Sequence, residues 1–225
     1  MKKSTWFIMI VALFLVGSLA LVGQTSAADK FTPFEGTDTF DPFGPLFGRP
    51  AVGALGPLGD VTCPGHESVD LTLPSPPFPP NTILTVCPTG SRTHIRGLVL
   101  VTRFETTSDL VTGTATITVN SNFDADGTGP AWGTISIAPE AGGGTWDGTW
   151  QGVRVKVDDQ MDDQTWAILV HGSAKGTGEF EGMIYSALDD ITSYSLVLPD
   201  GRVFPSVLVA YFGNLTGRII DPHFK

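Results

Sequence analysis

The stretch from Gly129 to Gly182 constrains the fold of this chain more than any other part of its sequence. It consists of short runs of apolar, β-branched and aromatic residues, and glycine interrupts these runs every few residues. Such a pattern is typical of consecutive antiparallel strands joined by tight turns. It predicts an all-β fold, either a sandwich or a small closed barrel, and it leaves the activity open.

Strand signals recur regularly from His94 to the end of the chain, and no window shows the periodicity of a helix. Seven or eight short strands over residues 91–225 predict a single β-barrel domain. The predicted strands cover residues 94–106, 110–122, 131–138, 145–157, 165–175, 179–189, 193–198 and 203–220, and the last range holds one strand or two.

The first residues are interpreted as a secretory signal peptide. A basic start at Lys2 and Lys3 precedes an apolar run over residues 6–22, and small residues suited to cleavage follow at 24–27. The apolar run is shorter than the ~20 residues that a membrane-spanning helix needs. We therefore expect cleavage to remove residues 1–27 and to leave a secreted or periplasmic protein without membrane attachment.

The composition is acidic, with 13 lysine and arginine residues against 23 aspartate and glutamate residues and a net charge of −10. Loss of residues 1–27, which contain two lysines and no acidic residue, changes the net charge to −12. Nucleic acids and anionic lipids are bound through clustered basic side chains, so we expect neither as a partner. Asp189 and Asp190 are interpreted as a solvated acidic pair in a loop.

Residues 28–90 are rich in proline and glycine, which both disfavour long regular elements. We interpret them as an N-terminal arm that is draped or mobile over residues 28–60 and ordered but irregular after that. Cys63 and Cys87 are the two cysteines of the chain. Their spacing is too wide for a CxxC redox site, and two thiols are too few for structural zinc, so an oxidising compartment predicts a disulfide between them.

Three glycine-containing motifs follow one another along the barrel region. They are GTWDGTW at residues 144–150, GTGEFEGM at 176–183 and NLTGRII at 214–220. Their order resembles that of the allene oxide cyclase/dirigent-like group of eight-stranded lipocalin-type barrels, in particular its bacterial secreted members. The resemblance covers residues 92–221 and leaves the N-terminal arm outside.

This resemblance implies an antiparallel eight-stranded barrel that binds a small hydrophobic molecule. Members of the group also steer cyclisations or couplings, and they are often trimers or dimers, so a homo-oligomer is expected. The motifs consist mostly of glycines and aromatic residues, so they inform on the fold more than on the chemistry. The catalytic residues of the plant enzymes have no matching positions here and are not transferred.

The sequence contains no nucleophile elbow and no SxxK motif, which would indicate nucleophilic catalysis. The remaining candidate catalytic residues are Glu181, Tyr185 and His171. An inward-facing Glu181 beside Tyr185 would be a buried carboxyl with a raised pKa, which suits acid–base chemistry. In the alternative register the opposite face fills the core and these side chains lie outside. That opposite face, the better apolar set and the favoured alternative, consists of Phe180, Ile184 and Leu188.

Four tryptophans are candidates for the wall of a ligand cavity. Large aromatic rings either line such a cavity or fill a solid core, and both alternatives stay open. The four are Trp132, Trp146, Trp150 and Trp166. The valines that follow Trp150 alternate out of step with it, which predicts a β-bulge at Gly152.

The sequence Asn122-x-Asp124-x-Asp126-Gly127 matches the start of a calcium loop, where oxygen ligands occupy alternate positions before a glycine. The acidic ligand expected six residues after that glycine is replaced by Gly133. Aspartate, asparagine and glycine are also turn formers, so a polar hairpin turn is the alternative. We predict no cofactor.

Abundant aromatic residues and the lack of a catalytic motif favour an exported barrel that binds a small hydrophobic ligand or serves as an oligomeric structural module. The alternative is a cyclase or isomerase of the allene oxide cyclase type. Such an enzyme holds a reactive substrate in one conformation and needs few polar groups, so the lack of motifs does not argue against it.

Overall fold

The computed structural model of the chain describes residues 30–71, 82–88, 90–157, 165–197 and 203–223. The predicted signal peptide, residues 1–27, lies outside these ranges. Over the described ranges, no helix is long and apolar enough to cross a membrane.

The described residues form β-strands and two short 3-10 turns, at Gly44–Phe47 and Gly178–Phe180, without an α-helix. This confirms the all-β prediction. The strands are β1 (Lys30–Phe40), β2 (Ala54–Leu55), β3 (Asp60–Thr62), β4 (Glu67–Leu71), β5 (Thr82–Val86), β6 (Thr93–Thr106), β7 (Gly113–Phe123), β8 (Gly129–Pro139), β9 (Trp146–Lys156), β10 (Thr165–Gly176), β11 (Ile184–Val197) and β12 (Val203–Asp221).

Eight of these strands close into an antiparallel barrel. The strands β6 to β12 pair in sequence order, each with the next, and β1 completes the circle between β12 and β6. The contact of β1 with β12 runs from Lys30, opposite Asp221, to Phe40, opposite Tyr211. The contact of β1 with β6 covers only Gly36–Thr39. The barrel is therefore an up-and-down meander in which β1 is the first strand and β6 the second.

The interpretation of residues 28–60 as a draped arm is wrong for Lys30–Phe40, which is a barrel strand. Its alternation places Phe34, Asp38 and Phe40 inside the barrel while their neighbours are more exposed. The proline- and glycine-rich composition of residues 28–90 hid this strand. The one proline of β1, Pro33, lies where β1 pairs with β12 alone, so the other edge of the strand needs no backbone donor there.

Two predicted strands of the barrel region are a single strand in the structure. Residues 179–189 and 193–198 were expected to form separate strands, whereas β11 runs unbroken through Asp189 and Asp190. The barrel region thus supplies seven strands and β1 supplies the eighth. Likewise, β9 pairs with β8 and β10 without a register shift, so the β-bulge predicted at Gly152 is wrong.

Aromatic side chains pack one end of the barrel solidly, below the turns at residues 107–112 and 177–183. The rings of Trp146 and Phe180 stack at 5.0 Å, and those of Phe34 and Tyr185 stack at 5.5 Å. Gly217 makes this packing fit, because a Cβ atom there would overlap the ring of Phe34. Aromatic side chains therefore fill the interior at this end of the barrel.

The chain between the first and second barrel strands, residues 41–92, is an insertion whose described part lies along the side of the barrel between β6 and β12. Its strands β2 and β3 pair with the edge of β6 that β1 does not reach, and its strands β4 and β5 form a hairpin. Phe43, Leu84 and Val86 of the insertion form a buried cluster with Phe204 of β12. The insertion thus closes the gap between β6 and β12, which we call the seam.

The insertion is held by the predicted disulfide. Cys63 and Cys87 lie at bonding distance, with their sulfurs 1.97 Å apart. The backbone amide of Cys87 also donates a hydrogen bond of 2.9 Å to Ser206 Oγ of β12. One side of the hairpin is therefore tied both to the insertion and to the barrel wall.

Removal of the disulfide is expected to destabilise the protein markedly. The two cysteines are 24 residues apart, and closing a loop of this length in the unfolded chain corresponds to about 3 kcal/mol. We expect Cys63→Ser/Cys87→Ser to lower the free energy of unfolding by this amount in urea titrations followed by tryptophan fluorescence. Wild type in reductant should behave like the double variant, and an unchanged midpoint for both would refute the expectation.

Candidate functional site

The barrel encloses a cavity of about 100 Å³ between the packed end and the seam. A single water needs only ~10–15 Å³ by this kind of measure, so the space exceeds that of a trapped solvent molecule. Most of the wall is aliphatic or aromatic, with contributions from all eight barrel strands. Polar side chains with ionisable groups also reach it: Asp38, Arg154, Tyr185, Asp189 and Tyr211.

Asp38 and Asp189 lie beside each other in this wall. Asp38 projects inward from β1 and Asp189 from β11, and β12 runs between these two strands. Gly213 of β12 lies directly opposite Asp38 in the register, and a Cβ atom at this glycine would overlap the carboxylate of Asp189. The missing side chain at Gly213 therefore leaves the room in which the two carboxyls meet and hydrogen-bond.

The two carboxyls differ in their remaining partners. Thr102 Oγ1 and the Tyr211 hydroxyl donate hydrogen bonds to the two oxygens of Asp38, the latter at 3.0 Å. Asp189 is only 6% exposed, and its Oδ1 accepts no hydrogen bond from the described part of the chain. In the Asp38–Asp189 pair, both oxygens of Asp38 therefore accept hydrogen bonds, whereas Oδ1 of Asp189 has no donor among the described residues.

Burial raises the pKa of both carboxyls above the ordinary aspartate range, because an apolar wall penalises the charged form. The hydrogen bonds from Thr102 and Tyr211 offset part of this effect on the pKa of Asp38. The negative charge of Asp38, and then that of Asp190, raises the pKa of Asp189 further. The pair therefore keeps a proton near neutral pH that two isolated aspartates would have lost.

The two tyrosines of the cavity stay protonated. Burial, followed by the nearby carboxylates, raises the pKa of both Tyr185 and Tyr211. A phenol that keeps its proton remains a hydrogen-bond donor. The negative charge in the cavity is therefore confined to the carboxyl pair.

Arg154 is the cationic side chain in the same wall. Its guanidinium lies 4.3 Å from the ring centre of Trp166 and 5.0 Å from that of Phe123, and Nη2 donates a 2.9 Å hydrogen bond to Ser195 Oγ. Burial lowers its pKa to about 9. Arg154 follows Trp146 and Trp150 on the inward face of β9, so the uninterrupted register of this strand brings it inside.

Of the candidate catalytic residues, only Tyr185 reaches the cavity. Glu181 is exposed in the turn after Gly178–Phe180, and His171 is exposed on the outer face of β10. The favoured alternative for this region, with Phe180, Ile184 and Leu188 in the core, is confirmed for Phe180 and wrong for Ile184 and Leu188. Both are exposed, since the inward face of β11 starts at Tyr185.

The four tryptophans occupy different environments. Trp150 lines the cavity, and its Nε1 donates to the Thr118 carbonyl at 3.1 Å. Trp146 belongs to the packed end, Trp166 stacks on Arg154, and Trp132 is partly buried beneath Arg96.

The residues of the proposed calcium loop form a polar hairpin between β7 and β8. Asn122 Oδ1 lies 2.6 Å from Arg96 Nη2, and Asp124 forms a loose ion pair with Arg92. Asp126 Oδ1 accepts from a backbone amide at 2.9 Å. Across the described ranges no group of three or more His, Cys, Asp or Glu side chains is arranged to hold a metal ion.

Asp38 and Asp189 were absent from the sequence-based candidates, although a signal existed for Asp189. Asp189 stands in step with Tyr185, Ala187 and Ile191, whose alternation predicts one face of a strand. An interpretation of Asp189 and Asp190 as solvated loop residues hid this alternation. That interpretation is wrong for Asp189, which is buried, whereas Asp190 is exposed.

Comparisons with protein-family models, with curated proteins and with solved structures find no match for this chain.

The carboxyl pair should make the stability of the protein depend on pH. A carboxyl whose pKa is raised on folding binds more protons in the folded than in the unfolded chain, so stability falls as pH rises from about 4 through neutrality. One pKa unit corresponds to about 1.4 kcal/mol, and we expect Asp189→Asn to gain about 2 kcal/mol relative to wild type between pH 5 and pH 8.

Urea unfolding of both proteins across this pH range measures the difference. Asp109→Asn is the matched control, because Asp109 is an exposed aspartate in the turn at residues 107–112, at the packed end of the barrel. Parallel pH profiles for wild type and Asp189→Asn would show that the pair has ordinary pKa values.

Proposed function

We propose that this protein binds a small, mostly apolar molecule inside its barrel and that the Asp38–Asp189 pair holds the polar group of that molecule. The observation that carries the proposal is a pair of buried carboxyls in the wall of an otherwise apolar cavity. Burying ionisable groups costs free energy unless they are fully paired. Groups with shifted pKa values in a cavity are typical of binding and catalytic sites.

A hydrophobic wall with few polar groups suits this proposal. Apolar surface drives binding, while a small number of placed polar groups fixes the orientation of the ligand. The closed eight-stranded meander and the Cys63–Cys87 disulfide support, respectively, the proposed membership of the allene oxide cyclase/dirigent-like group and export to an oxidising compartment. A homo-oligomer stays a prediction, for which the exposed apolar side chains of Val153 and Leu169 are a candidate contact.

The seam is the proposed access route. A second cavity of about 80 Å³ lies there, between the insertion and the barrel. Four side chains line both cavities: Ile95, Leu98, Ser206 and Leu208. Because the two cavities share these side chains, small rearrangements of them would connect the interior with the underside of the insertion.

Filling the cavity from its wall should abolish binding without unfolding the barrel. Gly172 lines the cavity, and a Cβ atom at this position would meet only one atom, Tyr185 Cε1, at an ordinary 3.7 Å. We expect Gly172→Val to fold and to lose small apolar ligands, such as benzene detected by NMR line shifts, with affinity reduced tenfold or more. Ser173→Val, on the exposed outer face next to it, should bind as wild type does.

Equal binding by wild type and Gly172→Val would contradict the proposed cavity. If Gly172→Val shows no cooperative unfolding transition, Gly172→Ala takes its place, because it adds only one methyl group to the same space. Native mass spectrometry of the secreted protein, with a bound mass released on denaturation, would identify the natural ligand directly.

A cyclase or isomerase is the second candidate function, and the shared proton of the Asp38–Asp189 pair favours it. A protonated and an ionised carboxyl side by side can supply an acid and a base to one bound substrate. We expect a true substrate, once captured, to turn into an isomer of equal mass on incubation with wild type. Asp189→Asn should slow this conversion a hundredfold or more while retaining binding, and conversion at an unchanged rate would exclude the pair as the catalyst.

A further inference from the structure

We propose that the polar group held by the Asp38–Asp189 pair is a protonated amine, so that the ligand of the barrel is a small apolar organic cation. This inference rests on the proposed function of the cavity. It adds the chemical class of the ligand.

The hydrogen-bond inventory of the pair calls for donors. Thr102 and Tyr211 already donate to Asp38, whereas the buried Oδ1 of Asp189 accepts nothing from the described residues. An ammonium group brings three donors and no acceptor. A hydroxyl group brings one donor together with lone pairs that face the carboxylates, and a carboxylate ligand brings acceptors alone.

The charge of the pair points in the same direction. Two carboxyls in one hydrogen-bonded contact cannot both ionise in an apolar wall without a countercharge. The charged and titratable groups around them are Asp190 on the same strand, Tyr185, Tyr211 and Arg154. Arg154 is stacked between two rings and bound to Ser195, and the tyrosines keep their protons. A ligand cation would place its charge directly against both carboxyls and let the shared proton leave.

The cavity wall determines the chemistry of the part of the ligand that does not contact the pair. Around the pair it is formed by side chains such as Leu100, Ile168, Val170 and Ile191, which contact hydrocarbon and offer no hydrogen bonds. The volume of about 100 Å³ limits a ligand in the closed barrel to a few carbon atoms. Longer chains would extend toward the seam and the second cavity. A short primary alkylamine is thus the simplest molecule that satisfies the site.

A matched series of ligands tests the inference. Butylamine, butan-1-ol and butanoate have the same chain and differ in the group presented to the pair. By isothermal titration calorimetry at pH 7.5 we expect the amine to bind wild type at least tenfold more tightly than the alcohol, and butanoate not to bind. Titrations in two buffers of different ionisation enthalpy should show release of up to one proton for each amine bound, which passes to the buffer.

The proton release fixes the sign of the pH dependence. Because binding of the amine expels a proton from the pair, amine affinity should rise with pH between 6 and 8, by up to tenfold for each unit, while alcohol affinity should not. Asp189→Asn should remove both the preference for the amine and its pH dependence while leaving the affinity for benzene, which presents no polar group to the pair, within threefold. Asp109→Asn, at an exposed aspartate in the turn at residues 107–112, should leave every one of these values unchanged within twofold.

Two results would overturn the inference about the ammonium group, and a third would also overturn the proposed cavity. Equal affinity for the amine and the alcohol in wild type, or an unchanged amine affinity in Asp189→Asn, would leave the apolar cavity intact and remove the ammonium site. Failure of all three compounds and of benzene to bind would reject the cavity itself. Cooperative urea unfolding of each variant shows that a lost affinity does not reflect a lost fold.

Discussion

The closure of the barrel by β1 is the contact on which the rest of the structure depends. This strand runs along β12 for its whole length, but it meets β6 over four residues only. The long contact fixes the register that brings Asp38 opposite Gly213. The short contact leaves the remaining edge of β6 open. Because unpaired strand edges and apolar walls need a cover, both the interior site and the insertion follow from how far β1 extends.

The barrel interior is tightly packed at one end and contains a cavity with polar groups further along. Stacked rings such as Trp146 on Phe180 fill the closed end, and glycines facing inward let these rings approach the backbone. Further along the barrel the side chains leave a space, and the carboxyls of Asp38 and Asp189 face it. Well-packed apolar residues in their place would cost less free energy. The pair is therefore better explained by a ligand than by stability.

The strands from His94 onward could be predicted because their signals are local: alternation of side chains and glycine-containing turns within a few residues. The strand β1 could not be predicted, because it lies in a proline- and glycine-rich segment and its partner strands are distant in the chain. Tyr211 and Asp38, for example, are 173 residues apart. The same reason explains the missed site. Tyr185 was found from its own strand, but the meeting of Asp38 with Asp189 depends on the registers of three strands at once.

The position of the insertion gives the seam a role beyond closure. It enters the chain between the two barrel strands with the shortest contact, and its disulfide joins Cys63 to Cys87, whose amide binds Ser206 in the wall shared by both cavities. The insertion is attached to β6 through β2 and β3 and to β12 through the amide of Cys87, so a ligand that enters along the seam requires a local rearrangement between these attachments. If ligands pass under the insertion, the disulfide keeps its Cys63 and Cys87 segments together during passage. Exchange of ligand should then be slow compared with the motion of exposed loops.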